Sequence, residues 1–349
     1  MTQSIAALVA GFTQQAAWCE QLGSPFNAAL LRDLAADLAA EGPTAEVIGP
    51  WRDDPTESAL PLRVTGALHA LVLDGQDEDL ARFYPPQTMV YGDETWRAVQ
   101  NALRRHRPFI AAFLQSAPQT NEVRRSAILL GGFLAIAAQY GLPLRLREIG
   151  ASAGLNLAWP NYRYDMGEWS WGPADSPLVL SSEWRGPPPL VQTQPEIFDR
   201  RGCDLNPVRL EDPDHRRRLE AYIWPDQRDR LDRMRAAAMI AARLGVTVEQ
   251  AAADDWLARE LASPPADTCT VLYHSITWQY IAADQRVESE RLIARAGAGA
   301  SAARPFCHLR FEPQNEGGFF LRLQQWPSNQ DRILAKADPH GRWIDWRNM

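Results

Sequence analysis

The chain reads as an α/β protein with a mostly parallel sheet, antiparallel strands at its C-terminal end and a helical N-terminal region. Three observations predict this. From Leu144 onward, strand-like and helix-like segments alternate, the rhythm of a parallel sheet. The last segments, Phe319 to Gln325, Arg332 to Ala337 and Trp343 to Trp346, are short and separated by hairpin-type turns such as Asp338-Pro339-His340-Gly341. No strong strand is visible before residue 117. The expected division is a helical region over 1–116 and an α/β domain over 117–349, with an aromatic and proline-rich insertion at 159–195.

The N-terminal third is helical by periodicity. Asn27 to Ala40 puts Leu30, Leu31, Leu34 and Leu38 on one face, with Ser24-Pro25 as a start signal. Leu60 to Leu73 repeats the pattern and stops at Asp74-Gly75, and Asp93 is the expected N-cap of a helix through Trp96, Val99 and Leu103. A long helix is expected over Glu122 to Tyr140, with Thr120 or Asn121 as its cap and Gly131-Gly132 marking close packing. Leu144 to Ile149 follows as a strand. After it, Tyr162, Tyr164, Trp169 and Trp171 around Met166-Gly167 suggest a hairpin, read either as packing on the domain or as a lid over a site. Ile197-Phe198 leads to Asp204, and Val246 to Ala253 is a weak strand running to Asp254-Asp255. Thr268 to His274 and Phe306 to Phe311 are β-branched and aromatic strands.

Bulk properties exclude several classes. A chain of 349 residues with 46% apolar content can bury a sizeable core. The net charge of −7 argues against nucleic acid as a partner. No stretch approaches the run of about 18 apolar residues that a membrane span needs. The N-terminus has no basic side chain before its short apolar run, so no secretory signal is read and a cytoplasmic location is expected. Cys19, Cys203, Cys269 and Cys307 are far apart with no C-x-x-C pair, which predicts buried thiols rather than a metal site or disulfides.

The chemistry concentrates at Glu148-Ile149-Gly150-Ala151-Ser152-Ala153-Gly154-Leu155-Asn156. A strand, a tight turn of small residues and a helix start form an anion or ligand site, because unpaired backbone N–H groups point outward there. Gly150 to Gly154 also matches G-x-S-x-G, the elbow of a serine hydrolase with Ser152 as nucleophile. An elbow lies mid-sheet, whereas here the sheet is built after the turn, and no H-G-type oxyanion segment precedes it. A cofactor loop instead requires acids at the next strand ends. Asp204, Asp254-Asp255 and His274-Ser275 are expected at three successive ends.

With these stations in order, Leu142 to Trp346 resembles the class I S-adenosylmethionine-dependent methyltransferases, a Rossmann-like fold. The resemblance implies S-adenosylmethionine as cofactor, held by Glu148, Gly150, Ser152, Gly154, Asn156, Asp204, Asp254 and Asp255. It implies a small-molecule acceptor near His274, Ser275, Trp278 and Gln279. Asn121 and Glu122, which start the preceding helix, are further candidates for substrate contact. Ser152 stands where the family has a glycine. Asp204 lies about 50 residues beyond the turn instead of the roughly 20 of a compact unit. Nearly the whole chain also resembles a bacterial family catalogued as domain of unknown function 2332. The segments that carry this are Gln119-Thr120-Asn121-Glu122, Gly150 to Leu157, Trp224-Pro225-Asp226-Gln227, His274-Ser275 with Trp278-Gln279, and Pro339-His340-Gly341. That family implies no activity.

Each candidate also has a purely structural role open to it. Glu148 could pair with Arg145 or Arg147, Ser152 could be a small turn residue, Asp254-Asp255 an N-cap pair and His274 a buried imidazole bonded to a carbonyl. As functional groups, His274 suits a general base, Trp278 and Tyr280 an aromatic wall beside a sulfonium, and His308 and Glu312 are secondary candidates. The expected activity is methyl transfer to a small molecule. A serine hydrolase using Ser152 and a non-catalytic nucleotide-binding scaffold are the alternatives.

Overall fold

The computed structural model describes residues 2–314 and 317–347. The chain divides into two compact units. One takes the chain up to Thr120 together with Asp212–Asp232, and the other takes Asn121–Glu211 and the chain from Arg233 onward.

The first unit is helical. Helices Ile5–Gln21, Pro25–Ala39, Leu60–Leu73 and Asp93–Arg105 turn their apolar stripes onto a core that contains Phe12, Phe26, Leu30, Leu34, Leu68 and Tyr84. Asp93 is the first helical residue; Gly92 holds the N-cap position. Ser24 makes no direct cap to its helix. Its hydroxyl donates to Asp226 instead, and Asp226 also accepts the Phe26 N–H at 3.0 Å. Tyr222 and Trp224 join the same core, which explains why Asp212–Asp232 belongs to the helical unit although its sequence lies inside the α/β stretch.

The second unit is an α/β domain. Its strands, in chain order, are β1 (Leu144–Ile149), β2 (Arg163–Asp165), β3 (Ser170–Trp171), β4 (Val179–Leu180), β5 (Glu183–Arg185) and β6 (Ile197–Asp204), followed by β7 (Val248–Gln250), β8 (Cys269–Ser275), β9 (Phe306–Pro313), β10 (Phe319–Trp326), β11 (Gln330–Ala337) and β12 (Trp343–Trp346). Nine of them form one sheet in the order β5-β12-β11-β10-β9-β8-β1-β6-β7. The run β7-β6-β1-β8-β9 is parallel throughout, and β10, β11 and β12 continue it as an antiparallel meander. The expected mostly parallel sheet with antiparallel C-terminal strands is therefore what the chain forms. The helix begins at Arg125 rather than Glu122 and runs to Tyr140. It lies on the sheet so closely that a Cβ on Gly131 would meet the Trp346 ring at 2.4 Å, and one on Gly132 would meet Leu309 at 2.5 Å.

The aromatic insertion packs on the domain. Trp159 stacks on Phe133 of the Arg125–Tyr140 helix at 4.4 Å between centroids and contacts Trp171, while β2, β3 and β4 form a separate small sheet. Its last strand, β5, extends the edge of the large sheet by pairing with β12.

The central strand β1 is buried along its whole length, arginines included. Arg145 and Arg147 do not pair with Glu148. Arg145 donates to Glu260 at 2.8 Å; Arg147 reaches Glu260 at 2.6 Å and grips Asp199 with a bidentate pair at 2.7 and 2.9 Å. Removing one partner from such a buried network leaves uncompensated charge. Glu260→Ala should therefore lower the unfolding free energy by about 3–5 kcal/mol, with Glu260→Gln milder, as measured by urea denaturation.

Candidate functional site

Because β6, β1, β8 and β9 are adjacent and parallel, their carboxyl ends share one edge of the sheet. Strand order reverses between β1 and β8, the position where open α/β sheets receive ligands. Two groups of side chains meet along this edge.

The first is the glycine turn after β1. Gly150 and Gly154 have positive φ, as does Ser152 at 54°. Glycine is required at Gly150 twice over, since a Cβ there would also strike the Thr277 side chain at 2.2 Å. Four of the N–H groups expected to point outward unpaired are bonded within the chain. Ala151 N–H bonds Cys203 O, Ser152 N–H bonds Asp204 Oδ2 at 2.9 Å, Gly154 N–H bonds Ala151 O, and Leu155 N–H bonds Asn121 Oδ1 at 3.0 Å. Asn121 thus secures the turn instead of capping its own helix. The helix start expected at Leu155 is a 3₁₀ turn over Leu155–Asn161.

Beneath the turn, Glu148 is buried and accepts from Tyr273 Oη at 3.3 Å. Asn156 is buried beside it, taking the Ser126 hydroxyl on Oδ1 and Tyr273 Oη on its carbonyl. Burial is the chief reason the Glu148 carboxyl is pushed up to about 8. Hydrogen bonds from Tyr273 and Asn156 act against the rise, and the charge of Asp204 adds to it. Asp204 ends β6 as expected, and its other oxygen accepts the Asn206 N–H at 2.9 Å. Ser152 Oγ is buried with no hydrogen-bond partner among the described residues, so no histidine is bonded to it as an elbow's base would be.

The second group lies between β8 and β9. His274 Nδ1 contacts Glu312 Oε1 at 2.6 Å, and its Nε2 contacts His308 Nε2 at 3.0 Å. Glu312 Oε1 also accepts the N–H groups of Thr277 and Trp278 at 2.9 and 3.3 Å. Burial opposes the Glu312 charge, but these bonds and His274 outweigh it and hold the carboxyl below its ordinary range. Burial, with His274 and Arg310 nearby, holds His308 well below the usual imidazole value. Trp278 stacks on His274 at 5.1 Å and 18°. These side chains line a cavity of about 800 Å³ walled also by Phe320 and Trp326.

The remaining candidates are dispersed. Asp254 and Asp255 are not at a strand end, because β7 stops at Gln250 and both acids sit in the first turn of the Ala253–Glu260 helix. Gln279 is exposed, and Tyr280, 75% exposed, forms no wall. Ser275 is buried and offers its carbonyl to Arg125 at 3.0 Å. Glu122 is buried and accepts the Arg124 N–H on Oε1. Tyr273 and Thr277 were not singled out by sequence. Their signal was position alone, one on each side of His274 and Ser275. Among the described residues no cluster of three or more His, Cys, Asp or Glu is arranged to hold a metal, all four cysteines are buried free thiols, and no helix is long and apolar enough to cross a membrane.

Residues 9–346 match the family described as an uncharacterized protein conserved in bacteria, DUF2332, and the chain belongs to it. No curated protein matches the chain.

The Glu148 shift has a consequence for stability. Its folded value of about 8 lies above the ordinary 4.5, so between these values the folded state holds a proton that the unfolded state has released. That contribution is fully present below pH 4.5 and is lost as pH rises through about 8. Glu148→Gln should flatten the fall in unfolding free energy between those limits, measured by urea denaturation across the pH range. An unchanged slope would assign the proton elsewhere.

Proposed function

We propose that this family member is an S-adenosylmethionine-dependent methyltransferase for a small molecule, with the cofactor lying across the carboxyl ends of β1 and β6. The observation that carries the reading is the parallel order β7-β6-β1-β8-β9, with an acid and a glycine turn closing the central strand at the switch point. Fold order by itself is analogy; the residues at the edge supply the chemistry.

Those residues suit the group. Each Asp204 oxygen accepts one backbone N–H, which leaves acceptor capacity for ribose hydroxyls. Glu148, next to a glycine backbone, suits an ammonium group, and a cation there favours its ionised form. Thr277 rests on Gly150 and is the side chain that a ligand lying on that backbone has to displace. The bound cofactor supplies an electrophilic methyl group on a sulfonium. The chain's own contribution is alignment of the acceptor, and proton removal by the histidine pair, which Glu312 holds in place through His274 Nδ1.

Calorimetric titration with S-adenosylmethionine and S-adenosylhomocysteine tests the reading. Micromolar binding is expected, weakened about tenfold or more by Asp204→Asn through loss of a charge-assisted hydrogen bond. Well-folded protein that binds neither compound overturns it.

A further inference from the structure

The cavity between β9, β10 and the Ala283–Ala298 helix contains more polar structure than packing requires. Its wall carries the Glu312–His274–His308 chain, whose contacts restrict where protons can sit. With one proton on each imidazole, only one arrangement makes both contacts hydrogen bonds. His274 Nδ1–H donates to Glu312, and His308 Nε2–H donates to His274 Nε2. His308 Nδ1 is then a bare lone pair. That atom is buried without a partner among the described residues, and so is Glu312 Oε2. Both vacant positions are acceptors, and unfilled buried acceptors are costly.

The other walls narrow the ligand class. Three aromatic side chains, Trp278, Phe320 and Trp326, line it. Arg310 and Arg322 both pair with Asp331, at 3.5 and 2.6 Å, and Glu290 also faces the cavity, so no uncompensated cation selects an anion.

We propose that this cavity is a binding site for a small planar molecule, aromatic or heteroaromatic, that carries an O–H or N–H donor received by His308, with His274 and Glu312 aligned behind it. The site is built by the α/β unit's own residues and does not depend on whether a cofactor occupies the glycine turn.

Imidazole ¹H–¹⁵N spectra of the full-length protein, titrated with phenol and with anisole, test this. The two probes share a ring, but only phenol has a donor. His274→Gln and His308→Gln variants assign the signals. In the free wild-type protein His308 Nδ1 should be unprotonated. Phenol should shift that resonance, and anisole should bind at least about tenfold more weakly, the loss of one hydrogen bond to a buried acceptor. A proton on His308 Nδ1, equal affinity for the two probes, or no histidine response to phenol in folded protein each overturns the proposal. The wild-type titration decides the matter even where a variant does not fold.

Discussion

Two arginines in the middle of the sheet set the terms for the α/β unit. Arg145 and Arg147 lie on the central strand of the parallel run, and both are buried. Their charge is supportable only because Glu260 from a flanking helix and Asp199 from β6 converge on them. The network ties β1, β6 and the Ala253–Glu260 helix into one register. It thereby fixes where the carboxyl ends of those strands stop, and so where Glu148 and Asp204 stand.

Above that layer, the edge of the sheet is organised by side chains that satisfy backbone. Asp204 and Asn121 each accept an N–H of the glycine turn, and Glu312 accepts two from the segment after β8. Each of these groups is also a candidate ligand contact, so positioning the turn and meeting a ligand fall to the same atoms. A substitution at Asp204 therefore perturbs the turn's shape as well as any ligand bond, and isosteric amides are more informative there than alanine.

Much of this was legible in the sequence. Alternation from Leu144 onward identified the α/β class, and the hairpin turns after Phe319 identified the antiparallel end. The acid-glycine turn and His274 were visible as motifs. The hidden parts depend on three-dimensional pairing. The Leu-Arg-Leu-Arg pattern of β1 looks half-exposed, because sequence does not show that Glu260 and Asp199 will neutralise the arginines. Asp254-Asp255 looked like a strand end because the strand before it is only Val248–Gln250 and the helix starts at once. His308, Arg310 and Glu312 alternate along β9, a period-2 stripe of polar groups, but only the strand order brings it beside His274.

Thr277 is shared property. Its side chain presses on Gly150 while its N–H holds Glu312, the anchor of the histidine pair. The residue before it, Ile276, has a positive φ of 52°, a conformation a β-branched residue does not adopt freely. The linker from β8 is thus a stiff crank with one arm on the turn and the other on the carboxylate. One short linker therefore serves both the glycine turn and the carboxylate behind the imidazoles.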